Sequence, residues 1–296
     1  MSVAETAALI ALLRAGRRRP HIYSALVEER GSALAVLEEE EEGGANSRLP
    51  ALFKDEAMHQ LLATATADVA RWRAQAMRLL SVLDAEYPEN LRSVHDRPPL
   101  IFLAGELQPN DARSVAVVGA RHASPEGLAR AAAIAEHLVH HNFTVISGLA
   151  AGIDTAAHTA ALDAGGRTVA VIGTGLNHAH PPQNARFQRR IAEHHAVISQ
   201  FDPQTPPSRH TFPARNTTMS GLALATVVVE ASYRSGARGH AHRALNHGRP
   251  VFLAPELLEQ HWARDLARRP GVHIAASSNA ITETVERLTA TDGLVA

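Results

Sequence analysis

Hydrophobic positions change their period near residue 115. Before it, over roughly residues 1–80, apolar residues recur at spacings of three and four, which gathers them on one side of a helix. Ser2 is placed to cap a first helix that carries Leu9, Leu12 and Leu13 and ends near Gly16. A second helical region is predicted over about 21–42, stopping at Gly43-Gly44, and GGANSRLP reads as a linker or turn. Residues 52–80 predict another long helix, with Leu61, Leu62, Val69, Trp72, Met77 and Leu80 on its apolar side. The acidic run 38–42 reads as a solvated helix end. Pro88 and the Pro98-Pro99 pair then break any helix, and residues 100–104 predict a short strand.

From 115 onward short apolar runs alternate with helical patterns. Residues 115–118 are almost wholly apolar, as a strand covered on both faces should be. A helix follows over 126–141, with Leu128, Ala131, Ile134, Ala135 and Leu138 inward. Further strands are predicted at 144–146, 168–172, 196–199, 226–229 and 251–253, with helices at 155–164, 184–194 and 238–247. This alternation predicts an α/β fold built on an open parallel sheet with right-handed crossovers. Ligands of such sheets bind beyond the carboxyl ends of the strands. After Pro255 one more short strand and a helix capped by Ser278 or Asn279 are expected. The implied division is a helical N-terminal domain over 1–80, a lead-in segment over 81–114 and the main domain over 115–296.

Composition narrows the class. The chain has 296 residues, 45% hydrophobic and 20% charged, which is ordinary for a globular protein. No apolar run approaches the roughly 18 residues of a membrane span. The opening MSVAETAALIALLRAGRRRP is apolar before it is basic, the reverse of a secretory signal, so a cytoplasmic location is expected. There is no cysteine, which excludes disulfides, thiolate metal sites and a cysteine nucleophile. The formal charge of -1 argues against a strongly basic nucleic-acid binder. The charge is segregated, however: acids crowd the first part, while Arg121, Arg209, Arg215, Arg234, Arg238, Arg243 and Arg249 crowd the later loops. A local basic groove can exist on a neutral protein.

Those loops hold the candidate chemistry. In VVGARHASPEG, Gly119 follows a strand, Gly127 enters a helix, and Arg121 is placed for a bidentate phosphate contact. The plainer reading is a tight turn and a surface arginine. Neither GxGxxG nor GxxxxGK[ST] is present, so the dinucleotide and P-loop signatures both fail. In SGLAAGIDTAAH, Ser147 follows the next strand, Gly148 and Gly152 permit close backbone approach, and Asp154 is a helix cap or a ligand contact. His158, on the same helix face, reads as a packing residue rather than a base. His178 and His180 alone are too little for a metal site, and none is expected. FPARNTTMSG places Arg215 and Asn216 in a loop before a small-residue helix, suited to phosphate and to a base edge or phosphate respectively. YRSGARGHAHRA adds Ser235, Gly236, Arg238 and Gly239 as a backbone anion nest. Glu230 is positioned either as an acid or to hold a nearby arginine. No GxSxG elbow surrounds Ser147 or Ser235, and no Ser-His-Asp set is readable, so no catalytic residue is expected.

Taken in order, VAVVGARHAS, VISGLAAGID, AAHTAAL, TVAVIGTGLN, FPARN, VVVEA and SGARGHA resemble the DNA-processing protein A (DprA/Smf) family, and YPENLRSVHDRPPLIFLAG resembles its lead-in. The likeness covers about residues 85–255. It implies a Rossmann-like, mostly parallel sheet with helices on both faces, preceded by a small helical region. It also implies single-stranded DNA binding, a homodimer, protection of incoming DNA in natural transformation, loading of the RecA recombinase, and neither catalysis nor a cofactor. Gly119 and Arg121 match the family's Gly-Ser-Arg loop, with Ala120 in place of serine. Ser147, Gly148, Gly152, Asp154 and His158 match its Ser-Gly-x-Ala-x-Gly-Ile-Asp-x-x-x-His pattern. Phe212, Pro213, Arg215 and Asn216 match its Phe-Pro-x-Arg-Asn stretch, and Ser235 and Gly236 its Ser-Gly turn after Glu230. Departures from the pattern are Thr217, Gln200, His180-Pro181, His240-Ala241 and Pro255-Glu256, and no C-terminal winged helix is expected. The leading reading is a sequence-independent grip on a single strand, its phosphates steadied by Arg121, Arg215 and Arg238. With 4% aromatic residues, Phe212 is the one obvious stacking candidate. The alternative is a small-nucleotide sensor or nucleotide hydrolase of a related fold, whose Pro-Gly-Gly-x-Gly-Thr loop is absent here. A third reading is an interaction protein using the acidic helical front end.

Overall fold

The computed structural model describes residues 1–43, 51–75 and 77–292. Helices α1 (Val3–Ala15), α2 (Pro20–Arg30), α3 (Ala33–Gly43) and α4 (Ala51–Ala74) open the chain. Strand β1 (Arg78–Ser81), α5 (Glu89–Arg92) and β2 (Leu100–Gly105) follow. Strands and helices then alternate: β3 (Ser114–Val118), α6 (Pro125–His140), β4 (Thr144–Ser147), α7 (Ile153–Asp163), β5 (Thr168–Val171), α8 (Ala185–His194) and β6 (Ala196–Ser199). The rest is α9 (Thr211–Leu222), β7 (Ala225–Val228), α10 (Gly236–Asn246), β8 (Val251–Leu253), α11 (His261–Ala267), β9 (Val272–Ile274) and α12 (Ser278–Asp292). No helix among the described residues is long and apolar enough to cross a membrane.

The strands form one nine-stranded sheet in the order β1-β2-β6-β5-β4-β3-β7-β8-β9. From β6 to β9 the neighbours are parallel, and β1 and β2 add an antiparallel edge. The expected mostly parallel α/β sheet, with helices on both faces and a helical N-terminal region, is therefore what forms. The all-apolar run of β3 is explained by its two faces. Val115 and Val117 pack with Ile134 and Leu138 of α6 and Ile153 of α7. Ala116 and Val118 join the opposite core with Met219 and Leu222 of α9, Ala241 of α10 and the N-terminal helices.

The N-terminal helices are tied to the sheet by packing and charge. Trp72 meets Phe102 edge-on at 5.1 Å, and Arg14 bridges Asp202 at 2.6 Å and Asp68 at 2.7 Å. Ser2 caps α1 by accepting from the Glu5 N–H, and α1 stops at Gly16 with φ +64°. The helical region expected over 21–42 is two helices, because Gly31 takes φ +68° and Ser32 caps α3 through the Ala35 N–H at 3.1 Å. Of the linker expected at 43–50, Gly43 ends α3 and 44–50 lie outside the described residues. The helix expected over 52–80 ends at Ala74. Leu79 and Leu80 instead pair with Phe102 and Ile101 in the sheet, so strand pairing overrides their helical spacing. Beyond Pro255 a 3-10 turn (Pro255–Glu259) and α11 precede the anticipated strand and helix.

The topology fixes where a ligand can sit. β3 has β4 on one side and β7 on the other. The chain leaves β3 toward β4, β5 and β6 and later returns past β3 to β7. The loops after β3 and β7 therefore diverge, and a crevice opens beyond Val118 and Val228.

Candidate nucleic-acid interface

A cleft of about 740 Å³ occupies that crevice. Gly119, Arg121 and His122 after β3 form one wall, and Glu230, Ser232, Arg234, Ser235 and Gly236 after β7 form the other. Asp154 of α7 and Phe212, Arg215 and Asn216 of α9 complete it. Of the residues expected at the site, Gly119, Arg121, Asp154, Arg215, Asn216, Ser235 and Gly236 are thus brought together. Ser147, Gly148 and Gly152 do not line the cleft, and Arg238 lines a neighbouring hollow instead.

Several of these residues hold protein atoms. Arg215 was expected in a loop, but it sits inside α9 and is 7% exposed. Ser208 starts that helix by accepting from the Thr211 N–H at 3.2 Å. Pro213 falls in the first turn, where no N–H is needed. Arg215 Nη1 donates to the carbonyls of Gly148 at 2.9 Å and Val171 at 2.6 Å, at the ends of β4 and β5. Its Nε donates to Asn216 Oδ1 at 3.2 Å. The Gly148 N–H donates to Asp154 at 3.2 Å. Burial pushes the Asp154 carboxyl up, against the opposing charge of Arg215. A Cβ on Gly148 would stand 1.9 Å from the Arg215 guanidinium, so that glycine makes room for arginine. Gly152, at φ +76°, would drive a Cβ to 2.3 Å from the Ala120 carbonyl. The Ser147 hydroxyl is buried and donates to the Val117 carbonyl at 2.6 Å.

Glu230, expected either as an acid or to hold a nearby arginine, instead holds Ser124. Its carboxylate accepts from the Ser124 N–H at 3.0 Å and the Ser124 hydroxyl at 2.7 Å. It therefore sits on the N-terminus of α6, the place a phosphate would take in a strand–turn–helix cradle. That seat is filled from within. Glu230→Ala is expected to destabilise the fold by about 1–3 kcal/mol, because Ser124 loses a charged acceptor. Urea unfolding checks this, and wild-type stability would contradict it.

The N-terminus of α10 is open by contrast. Ser235 caps it through the Ala237 N–H at 3.2 Å, and a Cβ on Gly236 or Gly239 would meet nothing within 4 Å. Arg234 beside it and Arg121 opposite are exposed, and neither makes an ion pair among the described residues. Arg121 lies 5.0 Å over the half-buried Phe212 ring, which also meets His180 at 5.1 Å. The cleft thus offers two arginines, a helix N-terminus with no carboxylate on it and an aromatic edge. Arg234 was not among the expected contacts, although its place directly before Ser235 was a usable signal.

The histidines do other work. His158 Nδ1 lies 2.6 Å from Thr168 Oγ1 in the core, as a packing residue should. His178 contacts the Gln204 carbonyl at 3.0 Å. His247 Nε2 lies 2.6 Å from Asp96 and its Nδ1 3.0 Å from Ser220 Oγ. This Ser-His-Asp chain was unreadable in sequence because it joins three distant segments. It is a strut between the lead-in, α9 and α10: the Ser220 hydroxyl is fully buried and donates to the Asn216 carbonyl at 2.7 Å. His95, Asp96 and His247 also place ligand-type atoms within 4.8 Å of one another, but Arg243 donates to Asp96 at 2.9 Å and puts positive charge where a cation would go.

Comparisons with known proteins converge. The chain is 43% identical to the DNA processing protein DprA of Streptococcus pneumoniae over 175 residues, 59% of this chain and 62% of that one. It is 40% identical to the protein Smf of Escherichia coli over 186 residues, 62% of this chain and 50% of that one. The matches thus span about half to two thirds of these relatives' length. The X-ray structure of DNA processing protein A from S. pneumoniae superposes with a TM-score of 0.78 at 32% identity, covering 96% of this chain and 98% of that one. A DNA processing protein A from Helicobacter pylori, described by its single-stranded DNA binding mode, shares the fold with a TM-score of 0.63 at 21% identity, over 71% of this chain and 96% of that one. The model of the DNA recombination-mediator protein A family matches residues 78–287, and the chain belongs to that family.

Proposed function

We propose that this chain binds single-stranded DNA without sequence preference and acts, in the cytoplasm, in DNA uptake and recombination rather than as a catalyst. A homodimer and assistance to RecA loading belong to the same reading. The observation that carries it is the cleft at the β3–β7 divergence, where Arg121 and Arg234 stand unpaired on opposite walls above the open N-terminus of α10. Two separated guanidiniums beside a helix N-terminus suit successive phosphates of a running backbone. The filled α6 seat and the buried Arg215 leave no ready-made pyrophosphate cradle, which weighs against a small nucleotide. The H. pylori relative's single-stranded DNA binding supports the same ligand.

In a titration of labelled polythymidine, the double variant Arg121→Ala/Arg234→Ala is expected to bind at least about tenfold more weakly than the wild-type chain. Unfolding curves on both proteins confirm that the variant is folded. Unchanged affinity in a folded variant would defeat the proposal, as would tight mononucleotide binding accompanied by turnover.

A further inference from the structure

Tyr233 is the one aromatic among the large hydrophobic side chains that stand exposed among the described residues, at 64%. Its chain neighbours Ser232 and Arg234 both line the main cleft. The Arg238 guanidinium lies 4.2 Å from the ring centroid, and Arg238 Nη1 donates to the Tyr233 carbonyl at 3.3 Å. The ring is thus backed by a cation while most of its surface faces solvent, which leaves one face open to a stacking partner.

Beyond Tyr233 lies a second hollow of about 360 Å³, walled by Tyr233, Arg238, His242, Trp262 and Arg269. Two donors on these walls, Arg238 Nε and Trp262 Nε1, are shielded from solvent and lack a hydrogen-bond partner among the described residues. Burial, and then the charges of Arg238 and Arg269, hold His242 below its ordinary value, so the arginines are the cations here. The one carboxylate, Asp265, is taken up by His261 at 2.8 Å. An aromatic platform and two guanidiniums fit a ligand with a flat face and negative charge.

We infer that Tyr233 and this hollow form a second subsite, which stacks an unpaired base of the same strand after it leaves the main cleft. The inference rests on the single-stranded DNA reading above and extends the path of the strand past Arg234 toward Arg269. Stacking on an aromatic is sequence-tolerant, because every base presents a π-face.

Fluorescence anisotropy with polythymidine of about 20 nucleotides and of about 4 tests it, the shorter strand being able to fill the main cleft alone. Tyr233→Ala is expected to weaken the longer strand about tenfold, leave the shorter unchanged and keep the wild-type salt slope, since no phosphate contact is lost. Tyr233→Phe, which keeps the ring, is expected to bind both strands like the wild type. Wild-type affinity of Tyr233→Ala for the longer strand, or a reduced salt slope, would overturn the subsite. If that happens while Arg121→Ala/Arg234→Ala still loses binding, the proposed function stands without it. If the wild-type chain binds neither strand, both fall.

Discussion

Arg215→Met is expected to cost the fold about 2–5 kcal/mol, because it removes a charged donor from two buried carbonyls and the positive charge that opposes the burial of the Asp154 carboxyl. Arg215 is 7% exposed and Asp154 4% exposed, so water cannot substitute for the missing partner. The same change strips the Gly148 and Val171 carbonyls of their donor. Three elements meet at this guanidinium: α9 carries it, and β4 and β5 end on it. Urea unfolding checks the magnitude. Adding Asp154→Asn is expected to recover part of the loss, since the buried acid whose charge Arg215 opposes is then replaced by a neutral amide. A variant with wild-type stability but weakened DNA binding would contradict this and return Arg215 to the role of a phosphate contact.

Acidification from pH 7.5 to 5 is expected to remove about 4 kcal/mol of stability through two histidines. His158 and His240 are almost fully buried, and burial, with the charge of Arg215 adding to it, pushes each down from 6.5 to about 3. Their second ring nitrogens, His158 Nε2 and His240 Nδ1, have no hydrogen-bond partner among the described residues to receive a new proton's charge. In the unfolded chain both titrate near 6.5. The unfolded state therefore takes up protons as the pH falls below 6.5 while the folded state does not. The stability is fully present above pH 6.5 and is lost as the pH falls toward 3, by about 2 kcal/mol per histidine at pH 5. Denaturant unfolding at several pH values measures the slope. His158→Gln/His240→Gln is expected to flatten it by about two protons near pH 5, and an unchanged slope would contradict the assignment.

Most strands of the main domain were legible because burial on both faces writes them as short apolar runs, as in 115–118 and 251–253. The glycine-bearing turns marked the strand ends, and so the general location of the cleft. What sequence could not convey was which side of each turn the ligand would see. Gly148 reads as a position that admits a phosphate, yet the group it admits is Arg215. Arg215 itself reads as a free cation, because its carbonyl partners on β4 and β5 come from segments more than forty residues away. Glu230 was placed correctly after its strand, but its partner Ser124 lies in another loop. Leu80 kept a helical spacing and was claimed by a strand partner, Ile101, that periodicity cannot anticipate.

The cleft's central property is electrostatic: two unpaired arginines, Arg121 and Arg234, stand where the proposed function places a phosphate backbone. The salt dependence of polythymidine binding measures it most directly, since each phosphate contact on a single strand contributes about -0.7 to the slope of log K against log salt. The wild-type chain is expected to give a clearly negative slope, and Arg121→Ala/Arg234→Ala one that is shallower by about 1.4. Equal slopes for the two folded proteins would contradict the proposed binding mode.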